Sequence, residues 1–227
     1  MTIRAVIFDF DGVIANSEPL HFAAFRDVLQ NAGLTFTERE YYSSYLGYDD
    51  VGVFRAVGRD RRAPWTEEEI AALTGRKAVR LEELERERSV LFPGAEAAIA
   101  RLGAVYPLAI ASGALKAEIL RVLNHAHLTG YFQAIVAAED TPRSKPAPDP
   151  YLRAVDLLSA AIGEPLAGHE CVAIEDSQWG LDSARAAGLR TIAVTHTYEA
   201  SFLGDADLIV PGLDGLTAES IASTVTR

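Results

Sequence analysis

The stretch AVIFDFDGV, at residues 5–13, decides how the rest of the sequence is interpreted. Its first four residues are apolar without alternation, which is typical of a short strand buried on both faces of a parallel sheet. Asp9 and Asp11 follow one residue apart, so the period of two in an extended chain places both carboxylates on the same side. Two like charges held close are unfavourable unless a cation or a proton shares the site. The stretch predicts a cation site at a strand end or, since Asp-x-Asp-Gly also occurs in turns, an ordinary turn.

Similar short apolar runs recur along the chain and alternate with segments of helical length. The runs lie at residues 107–111, 134–136, 171–174, 191–194 and 208–210, and the helical segments lie at 95–104, 116–124, 151–162 and 180–187. Alternation of strands and helices predicts an α/β fold with a doubly wound parallel sheet.

One long segment, residues 15–91, interrupts this alternation because it contains only helical patterns. They lie at about residues 20–31, 37–46, 49–57 and 66–88, and the last opens with the Thr66…Glu69 spacing of a capping box. The sequence thus predicts an α/β core of residues 1–14 and 92–227, with an all-helical cap domain of residues 15–91 inserted after the first strand. An insert there would cover the carboxyl end of the sheet, where α/β proteins bind ligands.

Composition narrows the class of partner. The 227 residues carry a net charge of −11, which argues against nucleic acid because binding a phosphate backbone needs a basic face. No apolar run approaches the ~18 residues of a membrane helix, and no secretory signal leads the chain, so the expected location is the cytoplasm. The single cysteine, Cys171, lies in an apolar run and is interpreted as a buried hydrophobe.

Further polar residues follow three other predicted strands. Ser112 and Gly113 come after one, Lys145 lies in the proline-rich loop 144–150, and Glu175 with Asp176 ends another. Each has a plain structural reading as a helix cap or a solvated surface charge. Because the carboxyl ends of parallel strands meet at one edge of the sheet, their joint placement favours a shared site.

In this order and spacing, these residues resemble the motifs of the haloacid dehalogenase superfamily, in the subgroup of phosphoglycolate phosphatases and β-phosphoglucomutases with a helical cap. The resemblance covers essentially the whole chain. It implies a magnesium-dependent phosphatase that hydrolyses a small phosphorylated metabolite, of the sugar phosphate or phosphoglycolate type, through an aspartyl-phosphate intermediate. A bound cation would also reconcile an acidic protein with an anionic substrate.

The resemblance also implies a role for each motif residue. Asp9 would attack phosphorus, and Asp11 would protonate the leaving oxygen and then activate water. Ser112 and Gly113 would bind phosphoryl oxygens, while Lys145 would bridge Asp9 and the phosphate.

For the metal, the resemblance implies that Mg²⁺ binds the Asp9 carboxylate, the backbone carbonyl of Asp11 and the Asp176 carboxylate. Glu175 would act either through a water molecule or by orienting its neighbours; the sequence leaves these two roles open.

Two alternatives remain open. A sugar phosphomutase of the β-phosphoglucomutase type is favoured by LTGYF at residues 128–132 and EDSQ at 175–178, but the cap arginine of such mutases is replaced by Tyr48 and two acids, with Arg55 as a substitute. A catalytically silent phosphate-binding protein is the other alternative. His21, Tyr48 and Arg55 are the cap residues proposed to meet the substrate. Lys77 is expected to extend its charged end into solvent.

Overall fold

The protein divides into two compact units in the computed structural model, which describes residues 2–46, 48–62, 64–87 and 89–225. The core unit consists of Met1–Asn16 and Leu91–Arg227, and the helical unit consists of Ser17–Val90. The chain leaves and re-enters the core unit side by side, because Ala15 and Leu91 form an antiparallel bridge.

The helical unit contains helices α1 to α4. Their bounds are α1 Glu18–Asn31, α2 Glu38–Glu40, continued as a π-helix over Tyr41–Tyr45, α3 Asp50–Asp60 and α4 Glu67–Glu87. The predicted capping box at the start of α4 is confirmed, since Thr66 N donates to Glu69 Oε2 at 2.7 Å and Glu69 N donates to Thr66 Oγ1 at 3.3 Å. Arg88, the last residue of the predicted helix, lies outside the described residues.

Aromatic side chains form much of the core of the helical unit. The Phe25 ring meets the Phe54 ring edge-on, with centroids 5.3 Å apart. Tyr41 and Tyr45 are buried, and their hydroxyls donate to Glu18 and Asp60, respectively. A buried tyrosine ring whose hydroxyl finds a polar partner stabilises a small core without leaving an unsatisfied donor.

The core unit is built on a parallel sheet, to which six strands contribute within the described residues. Their bounds are β1 Ala5–Phe8, β2 Leu108–Ala111, β3 Phe132–Val136, β4 Cys171–Glu175, β5 Arg190–Val194 and β6 Leu208–Val210. The order is β3-β2-β1-β4-β5-β6, and every neighbouring pair is parallel. The predicted doubly wound sheet is therefore confirmed. Its strand order reverses at β1, which is where such sheets place a ligand.

Helices accompany the strands of the core unit at α5 Ala95–Gly103, α6 Lys116–His125, α7 Asp149–Ile162, α8 Gln178–Ala186 and α9 Ala218–Ser223. Strands β1, β2 and β4 are fully buried, as expected for unalternating apolar runs. Within the described ranges, no helix is both long and apolar enough to cross a bilayer.

Candidate active site

Three buried carboxylates meet at the carboxyl ends of the two central strands. Asp9 follows β1, while Glu175 ends β4 and Asp176 comes next. Asp9 N donates to Ile174 O at 2.9 Å, which aligns the two strand ends. One oxygen from each carboxylate lies within 4.8 Å of the others, and the three residues are at most 8 % exposed. The structure thus brings together three acids that lie up to 167 positions apart in the sequence.

Burial and crowding make the ionised forms of Asp9 and Asp176 unfavourable. Burial raises the pKa of Asp9 well above its usual value, and the charge of Glu175 raises it further. Burial likewise raises the pKa of Asp176 to about 6, with a further contribution from Glu175. A group of carboxylates in this state gains free energy when a cation joins it.

Lys145 supplies a positive charge within the site. Its Nζ lies 2.8 Å from Asp9 Oδ1 and 2.7 Å from Glu175 Oε1, and the side chain is only 13 % exposed. Burial opposes its charge, but the carboxylates of Asp9 and Glu175 outweigh burial and raise the pKa of Lys145 above its usual value. The lysine is therefore a fixed cation rather than the solvated surface charge that the sequence allowed.

Tyr151 belongs to the site although the sequence did not single it out. It is fully buried in α7, and its hydroxyl donates to Glu175 Oε1 at 2.5 Å. The Lys145 Nζ lies 5.2 Å from the centre of the Tyr151 ring. In the sequence Tyr151 looks like one apolar-face residue of a helix, since its hydrogen-bond acceptor is 24 positions away on another element.

Replacing Tyr151 with Phe is expected to destabilise the protein by about 1.5–2 kcal/mol, because a buried hydrogen bond to a charged carboxylate is lost while the ring still packs. Urea unfolding would measure the change. Tyr131→Phe, at a partly exposed ring, is the matched control and should shift stability by less than ~0.5 kcal/mol. Equal stabilities of the two variants would contradict the assigned bond.

Glu175 is held entirely by protein donors. Its Oε1 accepts from Lys145 and Tyr151, and its Oε2 lies 3.4 Å from the Ser177 hydroxyl, which also caps α8 by accepting from Gly180 N. A Cβ at Gly180 would lie 1.9 Å from the Glu175 carboxyl group, so only glycine fits there. The carboxylate therefore has little freedom to move.

The loop that carries Asp11 turns sharply at Gly12. Gly12 has a φ of +77°, and a Cβ at this position would lie 1.9 Å from Asp176 Oδ2. Both observations require glycine, because a left-handed backbone is strained for other residues and their Cβ would here clash with the Asp176 carboxylate. Asp11 is exposed, and its backbone forms a parallel bridge with Ala15.

Ser112 and Gly113 follow β2, the neighbour of β1, at the same edge of the sheet. Ser112 is buried, and its hydroxyl accepts from Ala114 N at 3.0 Å. Helix α6 has Leu115 at its N-cap, so Ser112 is not the helix-capping serine that the sequence left as an alternative. Gly113 is exposed, with open space where a Cβ would be.

The donor set fits a hard divalent cation. Asp9, Asp176 and Glu175 offer buried carboxylate oxygens, and such oxygens are the ligands that Mg²⁺ prefers. A divalent cation is therefore expected to bind Asp9 and Asp176 more tightly near pH 7.5 than near pH 5, where protons compete for these carboxylates.

The raised pKa of Asp176 predicts how stability depends on pH without metal. The contribution of Asp176 to the free energy of unfolding is fully present below the usual carboxyl pKa. It is lost as the pH rises through about 6, because Asp176 then carries a charge that the folded state disfavours. Adding Mg²⁺ at 100 times its dissociation constant should restore about 2.7 kcal/mol near pH 7.5. Thermal unfolding in EDTA or in Mg²⁺ measures the pH dependence and the stabilisation by Mg²⁺. Asp176→Asn should reduce both of these effects. An unchanged response of this variant to Mg²⁺ would refute the assignment of Asp176 to the cation site.

In the helical unit, a buried lysine, Lys77, forms a polar cluster with the partly buried His21 and Asp50. The expectation that Lys77 reaches solvent is wrong, because its side chain is 1 % exposed and its Nζ lies 2.7 Å from Asp50 Oδ1. The same Nζ donates to His21 Nδ1 at 3.0 Å and lies 4.8 Å from the centre of the Phe25 ring. Burial of Lys77 is tolerable because its charge is paired with the Asp50 carboxylate, an ion pair that also links α3 to α4.

The other two predicted cap residues lie apart from this cluster. Arg55 forms a two-pronged ion pair with Glu67, with distances of 3.1 and 2.6 Å, on the exposed surface. Tyr48 is 53 % exposed. The structure therefore brings His21 into a charged cluster and places Tyr48 and Arg55 at the surface.

Replacing Asp50 with Ala is expected to destabilise the protein by about 3 kcal/mol, because Lys77 would keep a buried charge without its acid. Lys77→Met should cost clearly less, since it removes the charge and retains most of the buried chain. Chemical denaturation of both variants tests this order, and a larger loss for Lys77→Met would contradict it.

Comparison with known proteins identifies the family of the chain. Residues 6–194 match the haloacid dehalogenase-like hydrolase family. The chain belongs to this family of hydrolases, which confirms the resemblance drawn from its motifs.

Individual relatives cover nearly all of the chain. Protein CbbY of Rhodobacter capsulatus is 33 % identical over 236 residues, which span 97 % of this chain and 98 % of the relative. Hexitol phosphatase B of Escherichia coli strain K12 is 34 % identical over 196 residues, spanning 85 % and 83 %. The crystal structure of a mutant CbbY from Rhodobacter sphaeroides in complex with xylulose-(1,5)bisphosphate has a TM-score of 0.72 and 26 % identity, covering 95 % and 96 % of the two chains.

Proposed function

We propose that this protein is a magnesium-dependent phosphatase that hydrolyses a small phosphorylated metabolite, of the sugar phosphate or phosphoglycolate type, through an aspartyl-phosphate on Asp9. The observation that carries the proposal is the contact of Asp9 with Lys145 beside the carboxylates of Asp176 and Glu175. The similarity to a hexitol phosphatase supports the same class of substrate.

The charges in the site suit a phosphate dianion. Asp9 and Asp176 would hold the cation together with the Asp11 backbone carbonyl, and the bound Mg²⁺ would supply Lewis-acid polarisation of the phosphoryl group. Lys145 neutralises part of the remaining negative charge. Glu175 is bonded to Lys145, Tyr151 and Ser177, which favours an orienting role over direct metal binding.

The proposed reaction uses two acids of one loop. An Asp9 carboxylate oxygen attacks phosphorus, the bond to the leaving oxygen breaks, and Asp11 gives that oxygen a proton. Asp11 then takes a proton from water, whose oxygen attacks the same phosphorus and breaks its bond to Asp9. Ser112 and the backbone at Gly113 would donate to the phosphoryl oxygens, and Lys145 would balance their charge.

The phosphomutase alternative requires a cation that binds a second phosphate. Arg55, the substitute named from the sequence, is already paired with Glu67, and the buried Lys77 of the same unit is paired with Asp50. A second phosphate would have to displace these acids or lie beside them, which like charge disfavours. This arrangement favours hydrolysis of a monophosphate over mutase chemistry.

We propose in addition that the helical unit serves as the cap predicted from the sequence and selects the organic part of the substrate. In His21→Ala, the order of KM values among sugar phosphates should then change. The kcat/KM for p-nitrophenyl phosphate should stay within about threefold of that of the unmodified protein. An unchanged ranking would contradict the assigned role.

The decisive experiment uses the purified protein with Mg²⁺ and a panel of phosphorylated compounds. The panel contains phosphoglycolate, hexose 6-phosphates, hexitol phosphates, xylulose 1,5-bisphosphate and β-glucose 1-phosphate. Release of inorganic phosphate that EDTA abolishes would support the proposal. Conversion of β-glucose 1-phosphate to the 6-phosphate without phosphate release would favour the mutase, and binding without any turnover would favour a silent binding protein.

A further inference from the structure

His196 lies in the loop after β5 and touches two separate segments of the core unit. Its Nδ1 is 3.0 Å from the carbonyl oxygen of Gly12. Its ring stacks on Phe92, with centroids 4.1 Å apart and an interplanar angle of 17°. Because a carbonyl oxygen can only accept, Nδ1 must carry the hydrogen and donate it.

The Gly12 carbonyl belongs to the loop that carries both acids of the proposed reaction. Inside this loop, Gly12 N donates to Ala15 O at 2.9 Å, and the amides of Ile14 and Ala15 both donate to Phe10 O. These bonds use the carbonyls of Phe10 and Ala15. The His196 ring supplies a donor to the carbonyl at the tip of the turn, where Gly12 lies against the Asp176 carboxylate.

Phe92 connects the same loop to the segment by which the chain re-enters the core unit. Phe92 N donates to Ile14 O at 2.9 Å, and the preceding Leu91 forms the bridge with Ala15. The His196 ring therefore packs on one segment and donates to the other. A planar ring held by stacking can aim its N–H with little loss of side-chain entropy.

We propose that His196 is a positioning residue that holds the loop from Asp9 to Ala15 in its reactive geometry, through the bond to Gly12 and the stack on Phe92. The catalytic part of this inference rests on the proposed function, whereas the ordering of the loop does not. Small displacements of reacting groups lower the rate constant more than substrate binding. Loss of the His196 donor should therefore lower kcat and leave KM nearly unchanged.

Two substitutions separate the donor from the ring. His196→Phe keeps a stacking ring and loses the donor, and His196→Asn keeps an N–H close to the position of Nδ1 and loses the ring. With p-nitrophenyl phosphate and Mg²⁺, the Phe variant should lose roughly tenfold to a hundredfold in kcat, with KM within about twofold. In the Asn variant, most of the lost kcat should be recovered. His169→Phe, at an exposed histidine, is the matched control and should match the unmodified protein.

Hydrogen exchange provides a readout that does not depend on activity. The amides of Gly12, Ile14 and Ala15 should exchange at least about fivefold faster in His196→Phe than in the unmodified protein, because the loop opens more often. His196→Asn, which loses the stack and keeps the donor, should give an intermediate rate. Phe92→Leu, which removes the stack and leaves the donor, should give an intermediate exchange rate. This variant tests the proposal if His196→Phe does not fold.

The outcomes distinguish the two proposals. Unchanged kcat and unchanged loop exchange in His196→Phe would overturn the role of His196, and so would equal impairment of the Phe and Asn variants. If the unmodified protein hydrolyses no phosphomonoester, the proposed function fails, and the exchange measurement alone still decides whether His196 orders the loop.

Discussion

Replacing Asp9 with Asn is expected to abolish phosphate release, lowering kcat by about 10,000-fold or more, because an amide cannot attack phosphorus to form an acyl phosphate. The fold should survive, since burial and the nearby charge of Glu175 both disfavour the ionised Asp9, and a neutral amide removes both penalties. The measurement is phosphate release at saturating substrate and Mg²⁺, together with thermal unfolding in EDTA. The melting temperature of the variant in EDTA should equal or exceed that of the unmodified protein.

Asp156→Asn provides the matched control for this substitution. Asp156 is an exposed acid on α7, so its replacement should leave kcat and stability nearly unchanged. Residual turnover of Asp9→Asn within about 100-fold of the unmodified protein would show that another group attacks phosphorus. An active Asp9→Asn variant would therefore refute the aspartyl-phosphate proposal itself.

Replacing Lys145 with Met should produce the second-largest loss, about 1,000-fold in kcat, since the cation that contacts Asp9 would no longer balance the phosphate and the carboxylates. The metal-free variant should also lose about 3 kcal/mol of stability, because Asp9 and Glu175 remain buried without their lysine. Mg²⁺ should restore part of the stability and little of the activity. Kinetic assays and denaturation with and without Mg²⁺ measure these effects.

The chain offers a close control in Lys116. Its Nζ forms an ion pair with Asp140 at 2.6 Å on the surface of the core unit, with 38 % of the lysine side chain exposed. Lys116→Met should change stability by less than ~1 kcal/mol and leave kcat unchanged, since exposed ion pairs contribute little. Similar losses for Lys116→Met and Lys145→Met would mean that charge removal in general, rather than the contact with Asp9, explains the effect.

Local sequence patterns were enough to predict the architecture of the core unit and to select its candidate site residues. Unalternating apolar runs specify strands buried on both faces, and the segments between them specify helices, since both patterns are local. The acids, serine and lysine that follow these runs were placed at one sheet edge by topology, because parallel strands end there together. Asp9 and Asp176 could therefore be assigned to one site from their positions along the chain.

Which polar side chains are paired and which face solvent became clear from the three-dimensional structure alone. Lys77 was expected in solvent and is buried, because Asp50 of another helix compensates its charge and His21 of a third helix accepts a hydrogen bond from it. Tyr151 looked like a core residue, but its hydroxyl reaches Glu175 on a neighbouring strand. Burial and partners depend on groups far apart in sequence, and a charge becomes tolerable only when those groups converge in space. No local pattern contains that information.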